Sequence, residues 1–196
     1  RISTPQGMRE LWGPMEPLDV ERLLILDEGD RIPLGNGRSV EVMYPPGHAK
    51  HHIVFYEDET GSVMIGDSVG LAFPHGHLVH PNTPPPDFDP HLVVHQMERM
   101  AERDPAFLGF AHFGPDRTPR ETLATAADRL WAWVGWVEDA AYGSDEELVA
   151  AMRQWVLDGY RAEGYSDDVL EKYDRNTFWP MQASGIRRWL SLRDQS

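Results

Sequence analysis

The strongest constraint on this chain is where its turn residues stop. Through residues 1–117 short apolar runs alternate with Pro, Gly, Asn and Asp, whereas residues 118–196 read almost wholly as helix. Short runs punctuated in this way suit strands joined by turns, and longer runs with a period near 3.6 suit helices packed on one face. The chain therefore divides between Pro115 and Pro119. Its 196 residues fit one domain, or one domain with an appendage.

In the first part, Leu23–Leu26 ends at the turn Asp27-Glu28-Gly29-Asp30, which passes the chain to Arg31–Leu34. Asn36-Gly37 is a strong hairpin signal because both central residues of a type I′ turn need positive φ. It leads into Ser39–Tyr44, then a Pro-Gly loop, Ile53–Tyr56, a turn at Asp58–Gly61 and Val63–Ile65, a meander of short strands. From Asp67 to Asp89 the density of Pro and His argues against any regular element. Asp89 can cap a helix with Pro90 at its first position, its apolar face formed by Leu92, Val93, Met97, Met100 and Ala101. Phe107–Phe113 reads as a buried strand ending in Gly114-Pro115.

In the second part, Thr118-Pro119-Arg120-Glu121 and Ser144-Asp145-Glu146-Glu147 are both capping boxes. The first opens a helix with a seam of Leu123, Ala127, Leu130, Val134, Val137 and Ala141, which Gly143 stops. The second opens one along Leu148, Ala151, Met152, Trp155 and Val156, and shorter helices follow around Asp167–Tyr173 and up to Trp189–Leu192.

Composition then narrows the chemistry. There is no Cys, which excludes disulfide scaffolds, thiolate metal sites and a cysteine nucleophile, so any metal must rest on imidazole and carboxylate. A net charge of −14, with an acidic excess in both parts, argues against a nucleic-acid partner, whose phosphates need clustered Lys and Arg. No apolar run reaches the roughly 18–20 residues that cross a bilayer, so no membrane role and a cytoplasmic location are expected.

The informative polar residues sit where expected strands meet loops: Pro46-Gly47-His48 with His51-His52 before Ile53–Phe55, Gly66-Asp67 after Ile65, and His112 before Phe113-Gly114. Groups projected from the ends of neighbouring strands can converge above a sheet. Imidazole and carboxylate suit zinc, iron or manganese.

These motifs resemble the metallo-β-lactamase fold, especially its hydrolases of the glyoxalase II and lactonase kind. The resemblance implies an α/β architecture, the second half of an αβ/βα sandwich at residues 1–117 followed by a C-terminal all-helical extension at 118–196. It implies a site for two divalent metal ions, zinc in the first instance with iron or manganese as alternatives. His48 would bind the first ion, His112 the second, and Asp67 would bridge both and orient the attacking hydroxide. His52, preceded by His51 in place of the family's glycine, would support the site without binding metal.

The family's H-x-H-x-D-H signature has no counterpart upstream of these motifs, and His75-Gly76-His77 lies downstream and lacks the following D-H. With Asp67 shared, each ion would have two protein ligands, while a catalytic zinc takes three plus water. The expectation is that this chain is a piece of a longer protein whose N-terminal half carries the other ligands, in keeping with a first residue that is not Met. The expected activity of the complete protein is hydrolysis of an ester, thioester or lactone of a small molecule, the chain alone being inactive. The alternatives are a structural module that dimerises through the helical tail, or a di-iron redox or nuclease member of the same fold.

Other histidines have simpler readings. His91 and His95 lie four apart on an amphipathic helix that accounts for them, and His51 and Lys50 face solvent. The roles of His75, His77 and His80 stay open, with lining of a substrate pocket as one of them. Trp131, Trp133, Trp136, Trp155, Trp179 and Trp189 are packing residues of the helical tail.

Overall fold

The structure, a computed structural model, describes residues 5–14, 16–44, 46–72, 78–112, 114–141 and 144–195. After a short helix α1 (Pro5–Trp12) and a 3-10 turn (Val20–Arg22), the chain builds β1 (Arg31–Gly35), β2 (Arg38–Met43), β3 (Val54–Glu57) and β4 (Ser62–Gly66). Two-residue strands β5 (Leu71–Ala72) and β6 (Val79–His80) precede α2 (Pro90–Glu102), β7 (Phe107–Phe110) and β8 (Gly114–Asp116). Helices α3 (Pro119–Asp139), α4 (Asp145–Ala162), α5 (Asp167–Asn176) and α6 (Trp179–Arg193) complete the chain.

Six strands form one sheet in the order β1-β2-β3-β4-β7-β8. Neighbours are antiparallel except β4 and β7, which are parallel and joined by a crossover through α2. Two reversals, β2 to β3 and β3 to β4, leave β2 running in the same sense as β4 and β7. The C-terminal ends of these three strands therefore meet at one end of the sheet, and the motif residues follow them.

Local signals explain much of this. Asn36 and Gly37 both have positive φ, 55° and 80°, as the β1–β2 hairpin requires. Asp89 Oδ1 accepts from the His91 and Leu92 amides at the start of α2, although Leu92 turns outward while Val93, Met97 and Met100 face the core. The Ser144 box closes in both directions, Ser144 Oγ accepting from the Glu147 amide and Glu147 Oε2 from the Ser144 amide.

One face of the sheet, carrying Val54, Val63, Ile65, Leu108 and Phe110, is buried with Met97 and Met100 of α2, Leu123, Leu130 and Trp133 of α3, and residues of α4 to α6. The core is thus continuous across residue 117. On the opposite face Phe55, Met64, Gly109 and Pro115 stand side by side across β3, β4, β7 and β8. With Ile53 and Phe107 they line an open apolar trough of about 530 Å3, and Met64 is 41% exposed.

Several expectations change in three dimensions. Leu23–Leu26 forms no strand, and Ile25 is 87% exposed; an apolar run becomes a strand only where a ladder partner takes its backbone groups. The stretch from Asp67 to Asp89, expected to lack regular structure, contains the β5–β6 pair, made possible by Gly70 at φ 118°, where a Cβ would lie 2.3 Å from the His80 carbonyl oxygen. The strand expected over Phe107–Phe113 ends at Phe110, leaving His112 in a turn, while Gly114–Asp116 forms a further strand. Thr118 makes no cap to α3, because its amide and hydroxyl both donate to Asp116 Oδ1. Phe113, Gly143, His75 and His77 lie outside the described residues.

His80 is fully buried rather than lining a pocket. Its ring centroid lies 4.7 Å from that of Trp133, with Trp179, Tyr173 and Tyr160 at 5.4, 5.6 and 5.9 Å. His91 packs against Trp131 and Trp189, and Trp136 stacks on Trp155, so these tryptophans join the helical layer as expected. No helix among the described residues is long and apolar enough to cross a membrane.

Candidate metal centre

Glycines decide where each motif sits. Gly47 has φ 108°, and a Cβ there would lie 2.7 Å from the Val93 nitrogen and 2.9 Å from the Asp89 oxygen. Only glycine lets this loop lie against the first turn of α2, where the Asp89 amide donates to the Gly47 carbonyl. His48 is thereby carried inside, 8% exposed. Gly66 has φ 56°, and its Cβ would lie 2.5 Å from His52 Nε2. The space left by that missing methyl admits the imidazole, whose Nε2 accepts from the Asp67 amide at 3.1 Å.

These contacts define proton positions. His48 Nδ1 is buried with no hydrogen-bond partner among the described residues. His52 accepts at Nε2, which places its proton on Nδ1. Burial, reinforced by the neighbouring His52 and opposed by Asp67, pushes His48 down to about 4; burial likewise lowers His52. Both rings are therefore neutral near pH 7, the form that binds metal.

The structure brings His112 to Asp67, with Nε2 3.3 Å from Oδ1, while the Ala111 amide ties the turn before His112 to the Gly66 carbonyl. His48 stands behind His52, ring centroids 5.4 Å apart, close enough to Asp67 to feel its charge. Among the described residues no group of three or more His, Asp or Glu is gathered to hold a metal alone. Asp67 and His112 are thus paired, and His48 is near but not clustered with them.

Whether these residues suit a metal is tested by their unsatisfied atoms. Among the described residues four buried polar side-chain atoms lack a hydrogen bond, and three of them lie here: His48 Nδ1, His52 Nδ1 and Asp67 Oδ1, the last within ion-pair distance of His112 Nε2. Each such atom costs about 1–3 kcal/mol, a concentration that a packed surface would not keep. The donor types fit a divalent ion, and the number falls short of a complete site.

A direct check concerns Gly66. Gly66→Ala forces a methyl into the His52 ring at a left-handed φ, and is expected to cost about 2 kcal/mol. Urea unfolding measures the cost, and faster hydrogen exchange of the Asp67 amide would show that its acceptor has moved.

Solved structures share this fold. A metallo-β-lactamase family protein from Thermus thermophilus superposes with a TM-score of 0.61 at 18% identity, over 92% of this chain and 51% of that one. An archaeal metallo-β-lactamase superfamily protein from Sulfolobus tokodaii gives 0.56 at 22% identity, over 92% and 58%. The chain has part of the metallo-β-lactamase fold, in agreement with the resemblance read from its motifs.

In sequence it is 32% identical over 105 residues to a metallo-β-lactamase fold-containing protein of Sulfurisphaera tokodaii, covering 53% of this chain and 38% of that protein. It is 43% identical over 51 residues to a hydroxyacylglutathione hydrolase of Gloeothece citriformis, covering 24% and 20%. The chain spans well under half the length of these curated relatives. No protein-family model matches it.

Proposed function

We propose that this chain is the second half of a metal-dependent hydrolase acting on an ester, thioester or lactone of a small molecule, with an upstream half supplying the remaining ligands. The observation that carries this reading is the buried His48 Nδ1 without a hydrogen bond at the end of the sheet where His112 Nε2 reaches Asp67 Oδ1. The similarity of one segment to a hydroxyacylglutathione hydrolase supports a thioester or ester as the substrate type. The apolar trough over Phe55, Met64 and Phe107 fits the inner layer of that upstream half.

His48 would hold the first ion, His112 the second, and Asp67 would be shared by both. Bound divalent ions, zinc in the first instance, supply a water nucleophile at neutral pH and polarise the scissile carbonyl. The His52 ring would hold the Asp67 backbone so that its carboxylate faces His112. Asp67 would also orient the attacking hydroxide.

Metal analysis of the chain joined to its upstream half is expected to give about two ions per molecule, the number a dinuclear hydrolase needs. His48→Ala with His112→Ala should lose most of that metal, and Asp67→Ala should lower hydrolysis of thioester or lactone substrates by at least about 100-fold. Full occupancy in the double variant would remove the basis of the proposal.

A further inference from the structure

Among the described residues of 118–196, Phe178 and Leu192 are the large apolar side chains left exposed, Phe178 by 54%. Phe178 cannot simply turn inward. Its neighbours Thr177 and Trp179 are buried, and its carbonyl accepts from the Met181 and Gln182 amides at the start of α6. It stands at a groove of about 970 Å3 lined by Leu148 and Val149 of α4, by Phe178 and Met181, and by Pro85 and Pro86. Ligand pockets run roughly 300–1,000 Å3 and are mostly apolar. The proline side is held in place: Gln182 takes the Thr83 amide at Oε1 and donates from Nε2 to Asn82 Oδ1, while Asp87 Oδ2 accepts from the Lys50 amide. Gly185 lets α6 lie against Thr83 and Pro84. None of His48, His52, Asp67 and His112 lines this groove.

Charge selects the head group of an occupant. Arg187 and Arg188 both border the groove, and Arg187 is paired with Asp145 of α4. Arg188 donates from Nε to the Pro86 carbonyl at 3.2 Å, which orients the guanidinium and leaves its terminal N–H groups for another acceptor. Acids are plentiful in this chain, 32 against 18 basic residues, yet none among the described residues forms an ion pair with Arg188. Glu146 borders the α4 side, which keeps an anion to the α6 side. We infer that the groove between α4 and α6 binds a small amphipathic monocarboxylate of the fatty-acid type, its carboxylate on Arg188 and its apolar body between Phe178, Met181 and the two prolines. The two terminal N–H groups of a guanidinium match the two oxygens of a carboxylate. Neither a metal nor an upstream half enters this site.

Calorimetric titration of the chain with decanoate, kept below its micelle concentration, should show one site whose affinity falls as salt is raised. Arg188→Gln should weaken binding at least about 10-fold, the loss of one hydrogen-bonded charge contact. Decanol, which lacks the charge, should bind the wild type no better than decanoate binds Arg188→Gln. Ser184 is exposed on the α6 wall, so Ser184→Trp should fill the groove and abolish binding. Phe178→Ala, also at an exposed position, should weaken binding several-fold and serves if Ser184→Trp does not fold. Met64→Gln, in the trough on the sheet, should leave the affinity unchanged. The inference is overturned by a wild type that does not bind, by binding that survives Ser184→Trp, by undiminished affinity in Arg188→Gln, or by equal loss in Met64→Gln. A dimer that Ser184→Trp dissociates, seen by light scattering, would give the groove to a second copy and overturn it too.

Discussion

Gly185→Ala is expected to destabilise the protein by about 3 kcal/mol or more, at the upper end of overpacking costs, and to lower its melting temperature by roughly 6–12 °C. Alanine is normally the better helix former, so the sign depends on surroundings. At Gly185 a methyl would stand 1.8 Å from the Thr83 oxygen, 2.9 Å from its carbonyl carbon and 3.2 Å from the Pro84 carbonyl carbon. All three are backbone atoms, and the segment from Thr83 to Pro86 cannot retreat while Gln182 holds Thr83 and Arg188 donates to the Pro86 carbonyl. Gly159, in exposed α4 surface with nothing within 4 Å of its missing Cβ, makes the matched contrast. Gly159→Ala should stabilise by about 0.5–1 kcal/mol. Thermal melts of the two variants must move in opposite directions.

Acid should loosen the same layer through His80. Thr177 donates its hydroxyl proton to the Tyr173 carbonyl at 2.7 Å, so its oxygen accepts from His80 Nε2 at 3.0 Å. His80 Nδ1 is then the acceptor, and Tyr160 donates to it at 3.3 Å. Both ring nitrogens are satisfied in the neutral form, and a second ring proton would face the Tyr160 hydroxyl with no acceptor left for it but that oxygen. Burial, with the nearby Arg129 charge, pushes His80 down to about 3 from an ordinary value of 6.5.

A histidine lowered on folding takes up its proton more readily when unfolded, so its stabilising contribution is complete above 6.5 and is lost as pH falls toward 3. The loss should reach roughly 3 kcal/mol by pH 4. His48, pushed down to about 4, works in the same direction. Glu57, held down to about 2 by the Thr60 hydroxyl and Arg38, loses its contribution only as pH falls below its ordinary 4.5. Urea midpoints between pH 6.5 and 5 therefore isolate the histidines. His80→Gln should be less stable than the wild type at pH 7 and show a flatter decline over that interval; an equally steep decline would assign the acid sensitivity elsewhere.

The parts of the fold legible beforehand are those whose causes are local. The Asn36-Gly37 turn, the Asp89 cap and the Ser144 box each depend on residues within four positions of one another, and each appears as expected. Thr118-x-x-Glu121 has the same pattern and fails, because Asp116 competes for the threonine from the other side. Leu23–Leu26 is apolar enough for a strand, but among the described residues none pairs with it. The β5–β6 pair was hidden because its cause is a single close approach, Gly70 to the His80 carbonyl. For the candidate centre, the residue types of His48, Asp67 and His112 could be read from spacing. Their arrangement could not, and it pairs only two of them closely.

The sequence by itself determined the helix starts, the hairpin, the absence of thiol chemistry and the set of imidazole and carboxylate groups, because propensity, capping and ionisation are properties of residues and their near neighbours. Only the tertiary structure decided that β2, β4 and β7 run in one sense and deliver those groups to one end of the sheet. It also decided that Gln182 grips Asn82 and that His80 anchors the helices. These contacts join residues about 100 positions apart, and they form only when burial of apolar surface repays the entropy of bringing such distant segments together.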